Sequence, residues 1–226
     1  MATSTVEDYL KTILLAEEGP GGFVSMGRIA EDLDVAPGTV TAMGKTLAQS
    51  GLVDYVPYSG VQLTEAGRRL ALHVLRRHRL VELFLVQILG MSWDEVHQEA
   101  EELEHAVSDR LIERMDEMLG FPSVDPHGDP IPDAEGVVAQ PDLAGLPGSE
   151  VGERLEVRRV GDQSVEFLRL LESLGLVPGS TVELVSVDDV SDTVVLENSE
   201  GERVRLGIRA ADKIFVAPAA EDSVAS

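Results

Sequence analysis

The chain has 226 residues, enough for two or more modest domains, and a formal net charge of −23. It contains no cysteine, which excludes disulfides, thiolate metal sites and cysteine nucleophiles. No apolar run approaches the ~18 residues of a membrane span, and the first residues, MATSTVEDYLKT, do not form a basic-then-apolar signal peptide. We therefore expect a cytoplasmic protein.

The charge is distributed unevenly along the chain. Residues 1–80 carry eight basic and nine acidic side chains, whereas residues 81–226 carry 10 basic and 32 acidic ones. The first third is thus nearly neutral, and the rest is strongly acidic. If the protein binds DNA, the first third is expected to bind it, and non-specific affinity should be weak because the whole molecule repels phosphate.

Three helices are predicted at the start of the chain. Apolar residues recur at helical spacing over residues 4–17, and the stretch GPGG at 19–22 ends that helix. Ser25 can cap a short second helix. After a turn, a third helix begins near Pro37 and runs to about Gln49. This order is typical of a helix-turn-helix.

A hairpin is predicted directly after the third helix. The strand LVDYV at 52–56 and the strand VQL at 61–63 flank the turn PYSG, and a further helix begins at Thr64. The combination indicates a winged helix-turn-helix that binds DNA. The alternative is a small helical subdomain with a hairpin and no nucleic-acid partner.

The third helix is the expected DNA reader, because its N-terminal half offers short polar side chains and one cation. Threonine can contact phosphates or thymine methyls, and lysine can contact a phosphate. Arg28 fits a backbone contact or a plain surface charge equally well. The predicted DNA-binding residues are Arg28, Pro37, Thr39, Thr41, Ala42 and Lys45.

Two further helices carry histidines and carboxylates. Residues 65–88 form one predicted helix, with His78 and Glu82 four residues apart. Residues 93–119 form another, which contains the stretch VHQEAEELEH. On a helix, the two histidines and two glutamates of its stripe share one face, and such a face attracts a divalent cation. The alternative is a solvated acidic face with incidental histidines. The stripe consists of His97, Glu101, Glu104 and His105.

The C-terminal half has a sequence pattern that differs from the helical periodicity of the first half. A proline-rich loop over 121–132 and a Gly/Pro/Ala-rich linker are followed by segments that alternate apolar and polar residues. One short helix, Ser164 to Leu174, interrupts them. We predict a mostly α protein with a small SH3-like β-barrel; His73 is interpreted as a surface or packing residue and His127 as a loop residue. The predicted divisions are 1–72 for the winged helix-turn-helix, 73–140 for a helical metal-binding and dimerisation domain, 141–150 for a linker, 151–218 for the SH3-like domain and 219–226 for a disordered tail.

Several stretches together resemble one family, the diphtheria toxin repressor family of metal-dependent transcriptional repressors. The resemblance covers most of residues 1–135, and LGLVPGSTVEL at 174–184 is similar to that family's SH3-like domain. It implies a homodimer that binds a pseudo-palindromic operator when loaded with Fe(II) or Mn(II). The stretches are VEDYLKTI, APGTVTAMGKTLAQSGLV, LTEAGRRLA, RRHRLVELFL, VHQEAEELEHAVSD and PHGDPIP.

The resemblance implies two metal sites. The first uses one residue of the first helix and three of the long helix, and the second uses two histidines and a glutamate completed by two side chains of the SH3-like domain. The matching positions are Asp8, Glu101, Glu104 and His105 for the first site, and His78, Glu82, His97, Gln163 and Glu166 for the second.

Departures from the family pattern bear on the metal. Iron-responsive members have methionine at the position of Asp8 and cysteine at that of Glu101, so the carboxylates here favour Mn(II), with Fe(II) as the alternative. Co(II), Zn(II) and Cd(II) are expected as substitutes in vitro. Small two-domain manganese members have a glutamate at the position of Lys11, so two separated sites are expected here rather than a dinuclear one.

The expected mechanism is linkage: metal ties the helix of Asp8 to the helix of Glu104 and thereby favours the DNA-binding state. A metalloenzyme is a rival function, but no nucleophile or phosphate-binding loop accompanies these residues, and the spacing is not the HExxH of metalloproteases. A metal-storage protein is a second rival. Sequence-specific DNA binding that depends on metal would separate a repressor from both.

Overall fold

The structure is a computed structural model that describes residues 3–17, 19 and 21–219. The chain divides into two compact units. The first takes in the chain up to His78 together with Glu102–Asp109 and Pro132–Val138, and the second takes in Arg79–Glu101, Arg110–Ile131 and the chain from Ala139 onward. No helix in the described part of the chain combines the length and apolar composition that a membrane span requires.

The first unit is a winged helix-turn-helix, as predicted. Its helices bury one apolar face each around a shared core that includes Leu10, Ile29, Val40, Leu47 and Val61. The elements are α1 (Ser4–Ala16), α2 (Met26–Asp32), α3 (Pro37–Gln49), β1 (Val53–Val56), β2 (Gly60–Leu63) and the beginning of α4 (Glu65–Gln87).

Local signals explain where α2 and α3 begin and end. The Ser25 side chain accepts a hydrogen bond from the Arg28 amide at 3.2 Å and caps α2. Asp34 has φ +50° in the turn, Pro37 occupies the first turn of α3, and Gly51 follows α3 with φ +71°. Pro20, within the stretch expected to end α1, lies outside the described residues; α1 ends at Ala16.

The wing is a two-stranded antiparallel hairpin with Val53 opposite Leu63 and Val56 opposite Gly60. Gly60 has φ +117°, and a Cβ there would lie 2.0 Å from the Val24 carbonyl oxygen, so only glycine fits. The base of the wing therefore packs closely on the chain before α2.

The predicted single helix over residues 93–119 is wrong. The structure has α5 (Val96–Leu103), a turn over residues 104–106, and α6 (Asp109–Met118). The break has a local cause, because Ser108 precedes α6 and Asp109 supplies an acid to its first turn, a combination typical of a helix start. Glu104 and His105 consequently lie in the turn and do not continue a helical stripe.

The second unit contains the SH3-like fold, built around a six-stranded antiparallel sheet of order β3-β8-β4-β5-β6-β7. Alternating strand residues such as Leu155, Val157, Leu184 and Leu196 are fully buried, and Trp93 joins their core. Residues 220–226 of the predicted tail lie outside the described residues. The elements are β3 (Ala144–Gly145), β4 (Arg154–Val160), α7 (Val165–Ser173), β5 (Thr181–Asp188), β6 (Thr193–Asn198), β7 (Arg203–Gly207), α8 (Ile208–Ala211) and β8 (Ile214–Pro218).

Candidate metal centres

The first unit brings Asp8, Glu104 and His105 together, with one donor atom of each within 4.8 Å of the others. His105 Nε2 lies 2.7 Å from Asp8 Oδ1 and 3.3 Å from Glu104 Oε1. Asp8 stands on α1, and the other two stand in the turn after α5. We call this group the first cluster. Two carboxylates and an imidazole at these distances fit a divalent transition metal.

Polar neighbours surround the first cluster. Lys11 Nζ lies 2.7 Å from Glu104 Oε1, His78 Nδ1 lies 2.6 Å from Glu104 Oε2, and Glu7 Oε2 lies 2.7 Å from His105 Nδ1. Burial raises the pKa of Asp8, although the neighbouring His105 opposes the rise. For His105, burial disfavours the charged ring, but the Glu7 hydrogen bond and the charges of Asp8 and Glu104 outweigh it and raise its pKa. The environment thus favours positive charge at this position.

A second group of ligating residues lies within the second unit. Glu82, Asp125 and His127 have one donor atom each within 4.8 Å of the others, and all three are buried. His127 Nδ1 lies 3.9 Å from Glu82 Oε2 and 4.0 Å from Asp125 Oδ1. We call this group the second cluster. His127 lies in a loop, as predicted, but its side chain is 0% exposed and belongs to this cluster.

Two potential metal-binding atoms of the second cluster, His127 Nδ1 and Asp125 Oδ2, make no hydrogen bond. Such atoms are uncommon in a protein interior, and a cation would satisfy both. Arg79 Nε lies 3.4 Å from Asp125 Oδ2. Burial, Asp129 and Glu82 raise the pKa of Asp125 to about 8 despite this guanidinium. The donor set fits a divalent cation by the same chemistry as the first cluster.

The tautomer and orientation of His127 are set by its other nitrogen. Nε2 lies 2.9 Å from the Trp93 carbonyl oxygen, so this nitrogen carries the hydrogen and leaves Nδ1 as an acceptor. The ring also stacks on Trp93 with centroids 5.7 Å apart. A histidine fixed in this way is already oriented as a metal ligand.

The remaining predicted ligands are distributed over both units. His78 is a residue of the first unit, and Glu101 belongs to the second, where its Oε1 lies 3.8 Å from His97 Nε2. His97 Nδ1 lies 3.0 Å from Glu82 Oε1. Gln163 Nε2 donates to Asp129 Oδ2 at 2.9 Å, and the exposed Glu166 joins neither cluster; these two ligand assignments stay predictions.

Asp125 and His127 were not predicted from the sequence as partners of Glu82. The stretch PHGDPIP, which contains His127, carries part of the resemblance, but a loop has no periodicity that shows which side chains point inward. Gly128 gives a local signal, since its φ of +86° indicates a tight turn, and the Asp125 carboxylate accepts the amides of His127 and Asp129 at 2.8 and 2.9 Å.

The predicted DNA-binding residues lie on one accessible part of the first unit. Pro37, Thr39, Ala42 and Lys45 are exposed on α3. The Thr41 hydroxyl donates to the Pro37 carbonyl at 3.0 Å, which leaves its oxygen free to accept. Arg28 is also exposed and forms an ion pair with Asp32 at 2.8 Å.

Three family models match the chain in sequence. Residues 1–61 match "Iron dependent repressor, N-terminal DNA binding domain", residues 64–133 match "Iron dependent repressor, metal binding and dimerisation domain", and residues 146–218 match the FeoA domain.

Curated relatives match over most of their length. The chain is 33% identical to the iron-dependent repressor IdeR of Mycobacterium tuberculosis over 210 residues, which cover 87% of this chain and 90% of the relative. It is 32% identical to the diphtheria toxin repressor of Corynebacterium diphtheriae over 195 residues, 81% of this chain and 85% of the relative.

Solved structures agree with these matches. A manganese-dependent transcriptional repressor in complex with manganese is similar with a TM-score of 0.85 and 42% identity, and the match covers 95% of this chain and 100% of that one. The repressor ScaR with bound Zn²⁺ is similar with a TM-score of 0.76 and 34% identity, over 95% and 99% of the two chains.

Proposed function

Because the chain belongs to the iron-dependent and diphtheria toxin repressor family of metal-dependent transcriptional repressors, we propose that it responds to Mn(II) and binds operator DNA as a homodimer. The observation that carries the proposal is the first cluster, in which α1 of the DNA-binding fold supplies Asp8 and a distant turn supplies Glu104 and His105. The family consists of transcriptional repressors and not of enzymes.

The donor chemistry supports Mn(II). Carboxylate oxygens and imidazole nitrogens suit manganese, whereas the softer thiolate and thioether ligands are not part of either cluster. The similar repressor solved with manganese supports the same metal. Fe(II) is the second candidate, because the relatives that cover most of this chain are named iron-dependent repressors.

The mechanism follows from what the first cluster connects. Asp8, Glu104 and His105 would hold the ion, whose positive charge would offset the two carboxylates. Asp8 then ties α1 to the turn at residues 104–105, and α1 shares its core with α2 and α3. Because Asp8 would reach the ion in one arrangement of α1 better than in others, metal binding would favour that arrangement. If it is also the arrangement that binds operator DNA, DNA would tighten metal binding by the same factor that metal tightens DNA binding.

A homodimer is supported by exposed apolar side chains on the second unit. Leu111 and Met118 of α6 and Phe121 after it are 48%, 66% and 71% exposed. Ile88 and Leu89, directly after α4, are also exposed. We infer that these five side chains form one apolar patch, and such a patch is typical of a protein interface. Two copies of α3 would then meet successive major grooves, which lie ~34 Å apart.

The second cluster is proposed to bind a second ion. Glu82, Asp125 and His127 would hold it, with His97 at the rim through its contact with Glu82. Because all three central ligands are buried within the second unit, this ion is expected to stabilise that unit. Metal binding at the first cluster would control DNA binding, and metal binding at the second would stabilise the second unit.

The test measures fluorescence anisotropy of the full chain on a genomic operator fragment, without metal and with Mn(II), anaerobic Fe(II), Co(II) and Zn(II). Metal is expected to raise operator affinity by about 5- to 150-fold, the usual range of allosteric coupling. Activation at lower free Mn(II) than Fe(II), relative to cellular supply, supports the manganese proposal. If Fe(II) activates equally well or better, the proposal of a metal-dependent repressor stands, but its metal is Fe(II) and not Mn(II).

Asp8→Ala is expected to abolish the metal-dependent part of operator binding, because α1 loses its ligand. The matched control is Asp109→Ala, which removes an aspartate that also contacts a histidine, with Oδ1 3.1 Å from His73 Nε2, in the same unit. The proposed mechanism is wrong if Asp8→Ala keeps full metal dependence.

A further inference from the structure

Lys11 is buried next to the first cluster. Only 5% of the residue is exposed, and its ammonium lies 2.7 Å from Oε1 of Glu104, which is 0% exposed. Burying a lysine is costly unless its charge is paired, and here a buried carboxylate pairs with it. From the sequence, Lys11 only argues against a dinuclear site, and Lys11 has no role in the function proposed above.

The contacts of Glu104 show where this ammonium acts. Oε2 already has His78 Nδ1 at 2.6 Å, and Oε1 has both Lys11 Nζ at 2.7 Å and His105 Nε2 at 3.3 Å. Asp8 and His105 converge on the same side as Oε1, so a metal ion bound by these three residues shares that oxygen with Lys11.

We propose that Lys11 sets the affinity of the first cluster for divalent cations, an inference that rests on the proposed function. Its fixed positive charge repels an incoming ion and also withdraws electron density from the oxygen they share. Lys11 therefore raises the free metal concentration at which the repressor responds. The Lys11 ammonium thus determines the metal concentration at which the protein responds. The ligands of the first cluster determine which divalent metal it prefers.

Lys11 could also favour metal binding, by holding the Glu104 carboxylate in its binding orientation, but this effect is weaker than the repulsion. His78 Nδ1 contacts the other oxygen of Glu104 at 2.6 Å and holds the carboxylate when Lys11 is replaced. Repulsion between an ammonium and a divalent ion a few ångströms apart in a partly buried site exceeds the energy of one tenfold step in affinity. The net effect of Lys11 is to weaken metal binding.

The experiment measures metal binding by the full chain without DNA, by competition against a chromogenic chelator with Mn(II) and Zn(II). Lys11→Met is expected to tighten binding at one of the two sites by about tenfold or more for both metals. Lys11→Arg, which keeps the charge, is expected to stay within about twofold to threefold of the wild type. If Lys11→Met does not fold, Lys11→Gln removes the same charge and keeps a polar partner for Glu104.

Arg68→Met is the matched control. Arg68 pairs with Glu17 at 2.7 Å in the same unit, so this variant also deprives a buried carboxylate of its cation but lies outside the cluster. It is expected to leave metal affinity unchanged. Combining Lys11→Met with His105→Ala should remove the tightening, because the shared site is then lost.

The outcomes separate the two proposals. If the wild type binds neither metal, the proposed function fails. If the wild type binds metal and Lys11→Met tightens one site while Arg68→Met does not, the inference is supported. If the wild type binds metal but Lys11→Met leaves affinity unchanged or weakens it, the inference is overturned and the proposed function stands.

Discussion

The two clusters use the same donor types in opposite surroundings. In the first, the side chains of Asp8 and His105 are 34% and 18% exposed, so ions can enter and leave from solvent. In the second, the side chains of Glu82, Asp125 and His127 are at most 1% exposed. Ligand chemistry alone therefore does not decide what a bound metal would do. A solvent-accessible group can report metal concentration, whereas an interior group couples metal binding to folding.

The two clusters also differ in the basic side chain that lies beside each of them. In the first cluster Lys11, on α1, contacts a carboxylate oxygen of Glu104 directly. In the second, Arg79 lies 3.4 Å from Asp125, donates to the Pro130 carbonyl oxygen, and so joins the loop to α4. The lysine is placed to modulate charge, and the arginine is placed to hold a loop.

The largest expected effect is that of Gly128→Ala in the second cluster. Gly128 has φ +86°, and a Cβ there would lie 1.9 Å from the Arg158 carbonyl oxygen. The loop that carries Asp125 and His127 must move, and we expect the free energy of unfolding to fall by about 3 kcal/mol or more. Calorimetry in the presence of a chelator measures it.

Gly120→Ala is the control for this prediction. Gly120 has φ +78°, but no atom lies within 4 Å of a Cβ added there. It should cost about 1 kcal/mol, the strain of a positive φ alone. Similar losses for the two variants would show that the loop is not held by close packing.

His127→Ala is expected to have the next largest effect. It removes a fully buried ring, its contact with the Trp93 carbonyl and its stacking on the Trp93 indole. We expect a loss of about 2–3 kcal/mol in chelator and the loss of one bound metal ion per chain. Chemical unfolding with metal analysis of the purified protein gives both values.

His97→Ala removes a ring whose side chain is 50% exposed, and in chelator it should cost less than about 1 kcal/mol. If both histidine variants unfolded with equal ease, the contrast between a buried and an exposed ligand would not hold.

The smallest expected effect is that of Asp8→Asn in the first cluster. Burial already disfavours its charged form and raises its pKa, so removing the charge should change stability in chelator by no more than about 0.5 kcal/mol. With Mn(II) at 100 times the wild-type dissociation constant, the wild type should gain about 2.7 kcal/mol, and the variant should gain less. An equal gain in both proteins would show that Asp8 does not bind the metal ion.

The elements of the fold could be predicted because their signals are local. Helical periodicity, the Ser25 cap and Pro37 predict α1 to α3, and alternation predicts the strands of the SH3-like domain. The break between α5 and α6 was not predicted, because the run VHQEAEELEHAVSD contains neither glycine nor proline. Ser108 and Asp109 favour the start of α6, but residues 104–106 are compatible with a helix. The tertiary contacts of Glu104 and His105 therefore help to end α5 at Leu103.

The clusters were only partly predictable for the same reason. The resemblance indicated Asp8, Glu104 and His105, which the structure brings together. Asp125 and His127 come from a loop, and which loop side chains become buried depends on packing that the sequence pattern does not contain.

The turn that carries Glu104 and His105 also has a consequence for synthesis. His105 follows Asp8 by 97 positions, so the first cluster cannot form until nearly half of the chain has been translated. At ribosomal rates of about 5–20 residues per second, Asp8 waits roughly 5–20 s for its partner. During that interval the nascent helices α1 to α3 are present without the proposed metal centre.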